Sequence, residues 1–357
     1  MILVLAMAAA IWGIGWMAGA PVRLRWAMLG MLAAGVLAVQ FSLPEGHALR
    51  AATGGSAAAW LVLGGAVLLV ALYRRGLLAL RARAAPAGTA PPSGGFEPAE
   101  LERYARHIML REIGGPGQKR LKAARVLVVG AGGLGSPALL YLAAAGVGTI
   151  GVIDGDVVDA SNLQRQVIHA DARTGMAKVF SAEVAMRALN PFIEVRPYRR
   201  ALTAEIAGSL FADYDLILDG TDSLAARRIA NAACVALGKP LLSAAITQWE
   251  GQISLYHPAS GGPCYACIFP EDPAPGLVPT CAEAGVAGPL PGVLGSMLAL
   301  EAVKWIAGAG EPLSGRMLIH DGLYGESRMI RLSRRADCPV CSGASAANGK
   351  GMENGTV

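Results

Sequence analysis

The chain has 357 residues, a net charge of +5, a pI near 9.0 and a mean hydropathy of +0.44. With 54% apolar and 16% charged residues, against a usual charged share of about 25%, the composition excludes a disordered chain and indicates segments in lipid. Residues 1–95 hold seven Arg and one acidic residue, a net charge of +6. Residues 96–357 hold the other 24 of 31 basic and 25 of 26 acidic residues, a net charge of −1. A nucleic-acid-binding domain would concentrate Lys and Arg in its folded part, so that class of partner is excluded.

Three uncharged apolar runs occupy residues 1–20, 26–43 and 57–73. Each is about as long as a membrane-spanning helix, roughly 17 to 25 residues, so we expect three transmembrane helices. The first run could instead be a signal peptide, but no basic stretch precedes it and no clear cleavage pattern precedes Arg23. A buried helical hairpin domain is the other alternative, and it would have to explain why the charges of residues 1–73 all lie in short connectors.

The arginines around these runs predict how the anchor is oriented. Arg23 and Arg25 follow the first run, four more arginines follow the third, and Arg50 alone lies between the second and third. Because Lys and Arg near helix ends stay on the cytoplasmic side, we expect a multi-pass anchor in the cytoplasmic (inner) membrane, with the N-terminus outside. The remaining segments are a basic, then Pro/Gly-rich linker at 74–95, a cytoplasmic α/β domain at 96–341 and a disordered tail at 342–357.

A glycine-rich turn opens the α/β domain. The β-branched run 125–129 leads into Gly130, Gly132 and Gly135, with Gly133 between them, and an apolar helix follows. This order of strand, G-x-G-x-x-G turn and helix is typical of a Rossmann-like nucleotide-binding sheet, in which the turn lets backbone approach phosphate. A second strand, 149–153, ends in Asp154, where an acid can accept the ribose hydroxyls. A nicotinamide dehydrogenase remains open at this point.

The cations and amides that follow favour a triphosphate over a nicotinamide. Asn162, Arg165 and Gln166 lie in SNLQRQ, and Lys178 lies near the start of an apolar-periodic helix. Arg offers a planar fork and Lys a point charge, and both can stabilise a leaving pyrophosphate. The alternative, a pair of solvated surface cations, stays open from these residues alone.

A third strand, 214–218, is followed by DGTDS. Its acidic residues lie at the carboxyl end of the strand, the edge where open parallel sheets bind ligands. Asp222 is placed to hold Mg²⁺ through one carboxylate together with phosphate oxygens. Asp219 is expected to cap the turn.

Two C-x-x-C pairs, Cys264/Cys267 and Cys338/Cys341, predict a four-cysteine structural zinc site. Such a closed site would tie the C-terminal segment to the domain and leave no open position for catalysis. A disulfide pair is the alternative, although the expected cytoplasmic side is reducing. Cys281 lies in a Pro/Gly-rich loop outside both pairs, where it is either a nucleophile or a partly buried thiol without a function.

Taken in order, RYARH, GAGGLGSP, SNLQRQ, GMAK, TDS, C-x-x-C, PTCAEAGVAGPLPGVLGS and the final C-x-x-C resemble the MoeB/ThiF-type sulfur-carrier adenylyltransferases, which are related to ubiquitin-activating enzymes. The resemblance covers about 96–341 and is closest to the molybdopterin-synthase type. It implies a homodimer that uses ATP and Mg²⁺ to adenylate the C-terminal Gly-Gly carboxylate of a ubiquitin-like sulfur carrier, releasing pyrophosphate. A thiamine-type carrier, a tRNA-linked or small-molecule carboxylate, and a membrane-tethered nucleotide sensor that has lost catalysis remain alternatives.

The resemblance also implies a role for each matching residue. Asp154 would bind the ribose, Asn162, Arg165 and Lys178 the phosphates, and Asp222 the metal. Arg106 would reach into the site of the partner subunit, and Cys281 would, as in some relatives, form a covalent link to the carrier. The chain departs from the family where His107 replaces the usual Gln and Ser223 the usual Asn. Because no rhodanese domain follows Cys341, a separate sulfur donor is expected.

Overall fold

The computed structural model describes residues 2–84, 95–271 and 285–343. It divides into two compact units, Met1–Thr89 and Ala90–Val357. Three predictions fall mostly or wholly outside the described residues: the Pro/Gly-rich part of the linker, Cys281 and most of the C-terminal tail.

The N-terminal unit is helical. Its helices are α1 (Ile2–Met17), α2 (Val22–Ser42), α3 (Ala48–Ala52) and α4 (Ala57–Ala84). α4 begins with the third apolar run and continues through the basic segment to Ala84, so this part of the expected linker is helical. By length and composition, Leu24–Ser42 is long and apolar enough to cross a membrane, whereas Leu3–Met17 is a shorter apolar helix.

The second unit alternates helices and strands. Its helices are α5 (Pro98–Ile108), α6 (Gly114–Ala123), α7 (Gly135–Ala145), α8 (Lys178–Leu189), α9 (Ala204–Ala212), α10 (Leu224–Leu237), α11 (Tyr265–Ile268) and α12 (Pro289–Ala307). Its strands are β1 (Arg125–Val129), β2 (Thr149–Ile153), β3 (Glu194–Tyr198), β4 (Leu216–Asp219), β5 (Leu241–Ile246), β6 (Glu250–Tyr256), β7 (Arg316–Asp321) and β8 (Glu326–Arg331).

These strands form one eight-stranded sheet in the order β3-β2-β1-β4-β5-β6-β7-β8. The first five are parallel, and β6, β7 and β8 extend the sheet in antiparallel fashion. β1 and β2 read as continuous apolar runs because helices cover both faces of a parallel sheet. The α/β prediction is confirmed, and the first two predicted strands have the observed bounds.

The direction of chain travel reverses at β1. From β1 the chain moves outward to β2 and β3, then returns to the other side of β1 with β4. Open α/β sheets bind ligands outside the carboxyl ends of the strands at such a reversal. The carboxyl ends of β1 and β4 therefore define the crevice where a site is expected.

α12 forms part of the core of this unit. It is long and apolar enough to cross a membrane, but Leu294, Leu298 and Ala302 are fully buried in the hydrophobic cluster that also contains residues of α7. Its composition therefore reflects packing against the sheet, and lipid is not needed to explain it.

Candidate functional site

The glycine turn lies where β1 meets the crevice. Gly130 has a φ of +94°, which L side chains rarely adopt. A Cβ at Gly135 would overlap the carbonyl oxygen of Gly130, so α7 can begin this close to β1 only with glycine there. At Gly132, by contrast, an added Cβ would make only an ordinary van der Waals contact, with Gln166 Nε2 at 3.7 Å, so the backbone is not tightly covered there. The turn thus presents exposed backbone beside the N-terminus of α7, the arrangement that binds phosphate.

Asp154, at the end of β2, braces this turn. Its Oδ2 accepts the Ala131 N–H at 2.8 Å, and its Oδ1 accepts the Asp156 N–H at 2.8 Å. Each carboxylate oxygen can accept a further hydrogen bond. The predicted ribose contact therefore remains compatible with a structural role that the sequence did not reveal.

The two predicted cations lie beside the crevice with partners of their own. Lys178 is 5% exposed, and its Nζ lies 2.8 Å from Asp156 Oδ2. Arg165 is half-buried, and its Nη2 donates to Asn162 Oδ1 at 2.6 Å. A buried ammonium held by an exposed carboxylate is not a solvated surface charge, which removes that alternative for Lys178.

Gln166 is the buried amide of SNLQRQ. Its side chain lies beside Gly132, and its Oε1 is buried with no hydrogen-bond partner among the described residues. Buried polar atoms are normally paired, because leaving one unpaired costs about 1–3 kcal/mol. An unpaired amide oxygen beside an open glycine turn fits a site for a ligand that carries hydrogen-bond donors, as a nucleoside does.

The two acids after β4 have different environments. Asp219 is fully buried: its Oδ2 accepts from Arg227 Nε and Ser243 Oγ, both at 2.7 Å, and its Oδ1 accepts from Thr221. Asp222, three residues later, is exposed at the carboxyl edge of the sheet. This contrast agrees with the structural role expected for Asp219. Asp222 could therefore offer a carboxylate to a phosphate-bound cation.

The structure accounts for the two departures from the family pattern. Arg106 is exposed near the end of α5, and its neighbour His107 has Nδ1 3.3 Å from Gln118 Oε1. Gln118 Nε2 in turn donates to Ala145 O at 2.8 Å, so His107 ties α5 to the adjoining helices. Ser223 caps α10, because its Oγ accepts the Ala226 N–H at 3.2 Å.

His169 was missed by the sequence reasoning. It is buried, with Nε2 2.9 Å from Ala131 O and Nδ1 2.9 Å from Ser181 Oγ. Burial lowers its pKa below the ordinary value of 6.5. The signal in the sequence was that His169 follows Gln166 by three residues in the same segment. A single histidine in a loop has no pattern that would mark it as a site residue.

The four paired cysteines meet at one point. The Sγ atoms of Cys264, Cys267, Cys338 and Cys341 all lie within 4.8 Å of one another, and all four residues are buried. Neighbouring sulfurs are 3.4–3.8 Å apart, close to the roughly 3.8 Å that a tetrahedron with Zn–S bonds of about 2.3 Å requires. The Arg335 N–H donates to Cys267 Sγ at 3.5 Å. No disulfide joins the described cysteines, and the cluster could hold a metal ion.

The sheet, the glycine turn and the charged crevice define a Rossmann-like nucleotide-binding protein with a four-cysteine cluster. Residues 104–340 match the model of the ThiF family. The chain belongs to that family.

Several curated proteins are similar to the chain. It is 49% identical over 261 residues to adenylyltransferase and sulfurtransferase MOCS3 of Bos taurus, covering 73% of this chain and 57% of that protein. It is 47% identical over 246 residues to the sulfur carrier protein adenylyltransferase of Thermus thermophilus, covering 68% of this chain and 91% of that protein. The chain thus spans little more than half the length of the mammalian relatives it matches.

Solved structures support the fold. The crystal structure of PaaA has a TM-score of 0.59 and 24% identity, covering 73% of this chain and 82% of that one. Escherichia coli MccB with MccA-N7isoASN has a TM-score of 0.60 and 22% identity, covering 67% and 74%.

Proposed function

We propose that the chain adenylates the C-terminal carboxylate of a ubiquitin-like sulfur-carrier protein that ends in Gly-Gly, consuming ATP and releasing pyrophosphate. The observation that carries this proposal is the similarity to the Thermus sulfur carrier protein adenylyltransferase, because it extends over 91% of that protein. A molybdopterin-type carrier is the first candidate and a thiamine-type carrier the second. The charged crevice supports the same reaction class.

The reaction requires charged groups that are held in fixed positions around the phosphates. A carboxylate oxygen of the carrier attacks the α-phosphorus of ATP, the bond to the β-phosphate oxygen breaks, and pyrophosphate leaves with the electron pair. The carboxylate is already ionised, so no general base is required. Lys178 and Arg165 are the cations that would stabilise the charge building on the phosphates. Their partners Asp156 and Asn162 hold them in place beforehand.

Asp222 is the residue we assign to Mg²⁺. When bound, the ion would neutralise phosphate charge. The assignment rests on the exposure of Asp222 at the ligand-binding edge, where its carboxylate is free of the buried network that holds Asp219. For Zn²⁺ we assign Cys264, Cys267, Cys338 and Cys341, in a site with structural function only. The covalent role for Cys281 and the separate sulfur donor stay predictions from the sequence.

We also propose that two copies pair through the exposed face of α7 and α12. An apolar groove of about 770 Å³ lies there. Tyr141, Val167 and Leu300 line it and are each more than half exposed. A contiguous apolar face of this kind marks an interaction site, and a two-fold dimer uses the same patch on both subunits.

The trans role of Arg106 gives this dimer a sharp test. A chain carrying Arg106→Ala and a chain carrying Asp222→Ala should each be inactive alone. Co-expressed, they should regain activity, because one site of the mixed dimer combines an intact Asp222 with the intact arginine of the other copy. A monomer in solution, or mixed chains no more active than either variant, would overturn the proposal.

For the N-terminal unit we propose a three-span anchor in the cytoplasmic (inner) membrane, with the α/β domain in the cytoplasm. Large apolar side chains point outward on its helices, among them Trp16, Met31 and Val62. The polar Gln40 is buried and donates to Thr53 Oγ1 at 2.8 Å. Helices in lipid have apolar side chains on their outer surface and polar side chains toward the interior of the bundle. Release of the full chain from membranes by an alkaline wash would contradict this assignment.

Exchange of labelled pyrophosphate into ATP tests the proposed function. The full chain in detergent micelles should catalyse exchange with a Gly-Gly-ended carrier, and the same carrier without its two C-terminal glycines is the control. Exchange without any carrier would favour a small-molecule carboxylate. Failure with every carrier, although ATP binds, would favour the nucleotide sensor.

A further inference from the structure

Ala131, inside the glycine turn, has both of its backbone polar groups held by side chains. Its N–H donates to Asp154 Oδ2 at 2.8 Å, and its carbonyl oxygen lies 2.9 Å from His169 Nε2. Ala131 is fully buried and stands between Gly130 and Gly132. The two contacts therefore fix the successive peptide planes on either side of the Ala131 Cα, at the point where the backbone turns toward the crevice.

The hydrogen-bond partners determine which tautomer the His169 ring adopts. A carbonyl oxygen can only accept, so Nε2 carries the proton and donates to Ala131. Nδ1 is then free to accept from the Ser181 hydroxyl, 2.9 Å away. Ser181 lies on α8 three residues beyond Lys178, the first residue of that helix. His169 therefore connects the glycine turn to the helix that carries the phosphate-binding lysine.

The surroundings of the ring favour its neutral form. Burial is the main cause of its lowered pKa, and the nearby cations Lys178 and Arg173 act in the same direction. The hydrogen bond to Ala131 and the charge of Asp154 oppose them. Arg173 also braces the segment, because its Nη1 donates to Ser181 O at 2.8 Å and its Nη2 to Ile168 O at 3.0 Å. The ring is thus neutral, and the backbone around it is held in place by Arg173.

We propose that His169 is a positioning residue for the nucleotide, acting through Ala131 on the glycine turn and through Ser181 on the register between that turn and Lys178. The proposal rests on the proposed function in so far as ATP is the ligand of the crevice. A residue that supports the fold alone would change the folded fraction; a positioning residue changes the affinity of the folded protein for ATP.

The test uses the full chain in micelles, with ATP·Mg²⁺ affinity measured by calorimetry and the KM for ATP by pyrophosphate exchange. His169→Phe keeps the ring volume and removes the donor. It should raise both Kd and KM for ATP by about tenfold, the effect expected of one buried hydrogen bond. The KM for the carrier should stay unchanged. His169→Gln restores a donor near the Nε2 position and should recover most of the affinity.

His257→Phe is the matched control. This histidine is partly buried and, like His169, has Nε2 beside a backbone carbonyl, Gly238 O, at 3.2 Å. It follows β6 next to the amino end of β5, which is the end of the parallel strands opposite to the crevice. If His169→Phe does not fold, Ser181→Ala should weaken ATP binding in the same direction.

An ATP affinity of His169→Phe within twofold of wild type would overturn the proposal, as would a glutamine variant as defective as the phenylalanine one. Absence of exchange in the wild type would instead count against the proposed function, because calorimetry tests His169 without a carrier.

Discussion

The nucleotide crevice and the cysteine cluster are built in opposite ways. In the crevice each of the two cations has a polar partner within the protein: Lys178 pairs with Asp156, and Arg165 donates to Asn162. In the cluster, thiols from segments far apart in sequence crowd together, and Arg335 supplies one backbone donor. The crevice therefore has its cations held in place by the protein itself, whereas the four sulfurs of the cluster, as thiolates, would need a cation to offset their charge. Loss of a ligand should leave the first region folded and loosen the second.

The largest expected effect is on the cluster. Cys338→Ser removes one ligand, and apparent zinc-binding free energies of structural sites are on the order of 10 kcal/mol. We expect metal content to fall from about one zinc per chain to near zero. The melting temperature should fall as well, by roughly 2–4 °C for each kcal/mol lost. Metal analysis and thermal unfolding check this, with Cys234→Ser, a buried cysteine on α10 outside the cluster, as control. Wild-type protein with far less than one zinc per chain would refute the assignment.

Asp219→Ala should give the next largest loss. It leaves the guanidinium of Arg227 buried without its carboxylate, and breaking a buried pair costs about 3–5 kcal/mol. Urea unfolding measures the loss. Asp213→Ala, at an exposed acid that follows α9 and precedes β4, should change stability by less than about 0.5 kcal/mol. Equal stability of the two variants would show that the buried network contributes nothing.

Asp222→Ala should break function and leave the fold intact. Loss of one positioned charge typically reduces turnover by about 10²–10³-fold. Pyrophosphate exchange should fall by that factor while the melting temperature stays within about 1 °C, since an exposed side chain contributes little to stability. Asp213→Ala is again the matched control. Near-normal exchange by the Asp222 variant would remove this residue from the site.

The smallest expected effect is on how folding stability depends on pH, through His169. Because the pKa of His169 is lowered in the folded chain, the unfolded chain takes up the proton first as pH falls below 6.5. Stability is therefore full above pH 6.5 and declines toward acid, by at most about 1.4 kcal/mol per pH unit for one such group. Unfolding of His169→Gln should show a shallower acid decline, while His257, whose pKa is also lowered, contributes equally to both proteins. Identical pH profiles would contradict a buried neutral His169.

Much of the crevice could be predicted because its chemistry is local. Gly130, Gly135 and Asp154 follow from strand, turn and helix patterns, and α8 begins at the predicted Lys178. The pairing of Lys178 with Asp156 could not be predicted, since it depends on how the loop after β2 folds back. His169 was missed because its partners Ala131 and Ser181 come from separate elements. The antiparallel strands β6 to β8 were not predicted either, because β8 is exposed along its whole length and lacks an apolar alternation.

In the proposed reaction the carrier carboxylate becomes joined to the α-phosphate of ATP. Incubating the full chain with carrier and ATP labelled in the α-phosphate, then in parallel with ATP labelled in the γ-phosphate, tests this most directly. We predict α-label on the carrier, lost when its two C-terminal glycines are removed, and γ-label released as pyrophosphate. Label from the γ-phosphate on the carrier, or no label from either ATP, would contradict the claim.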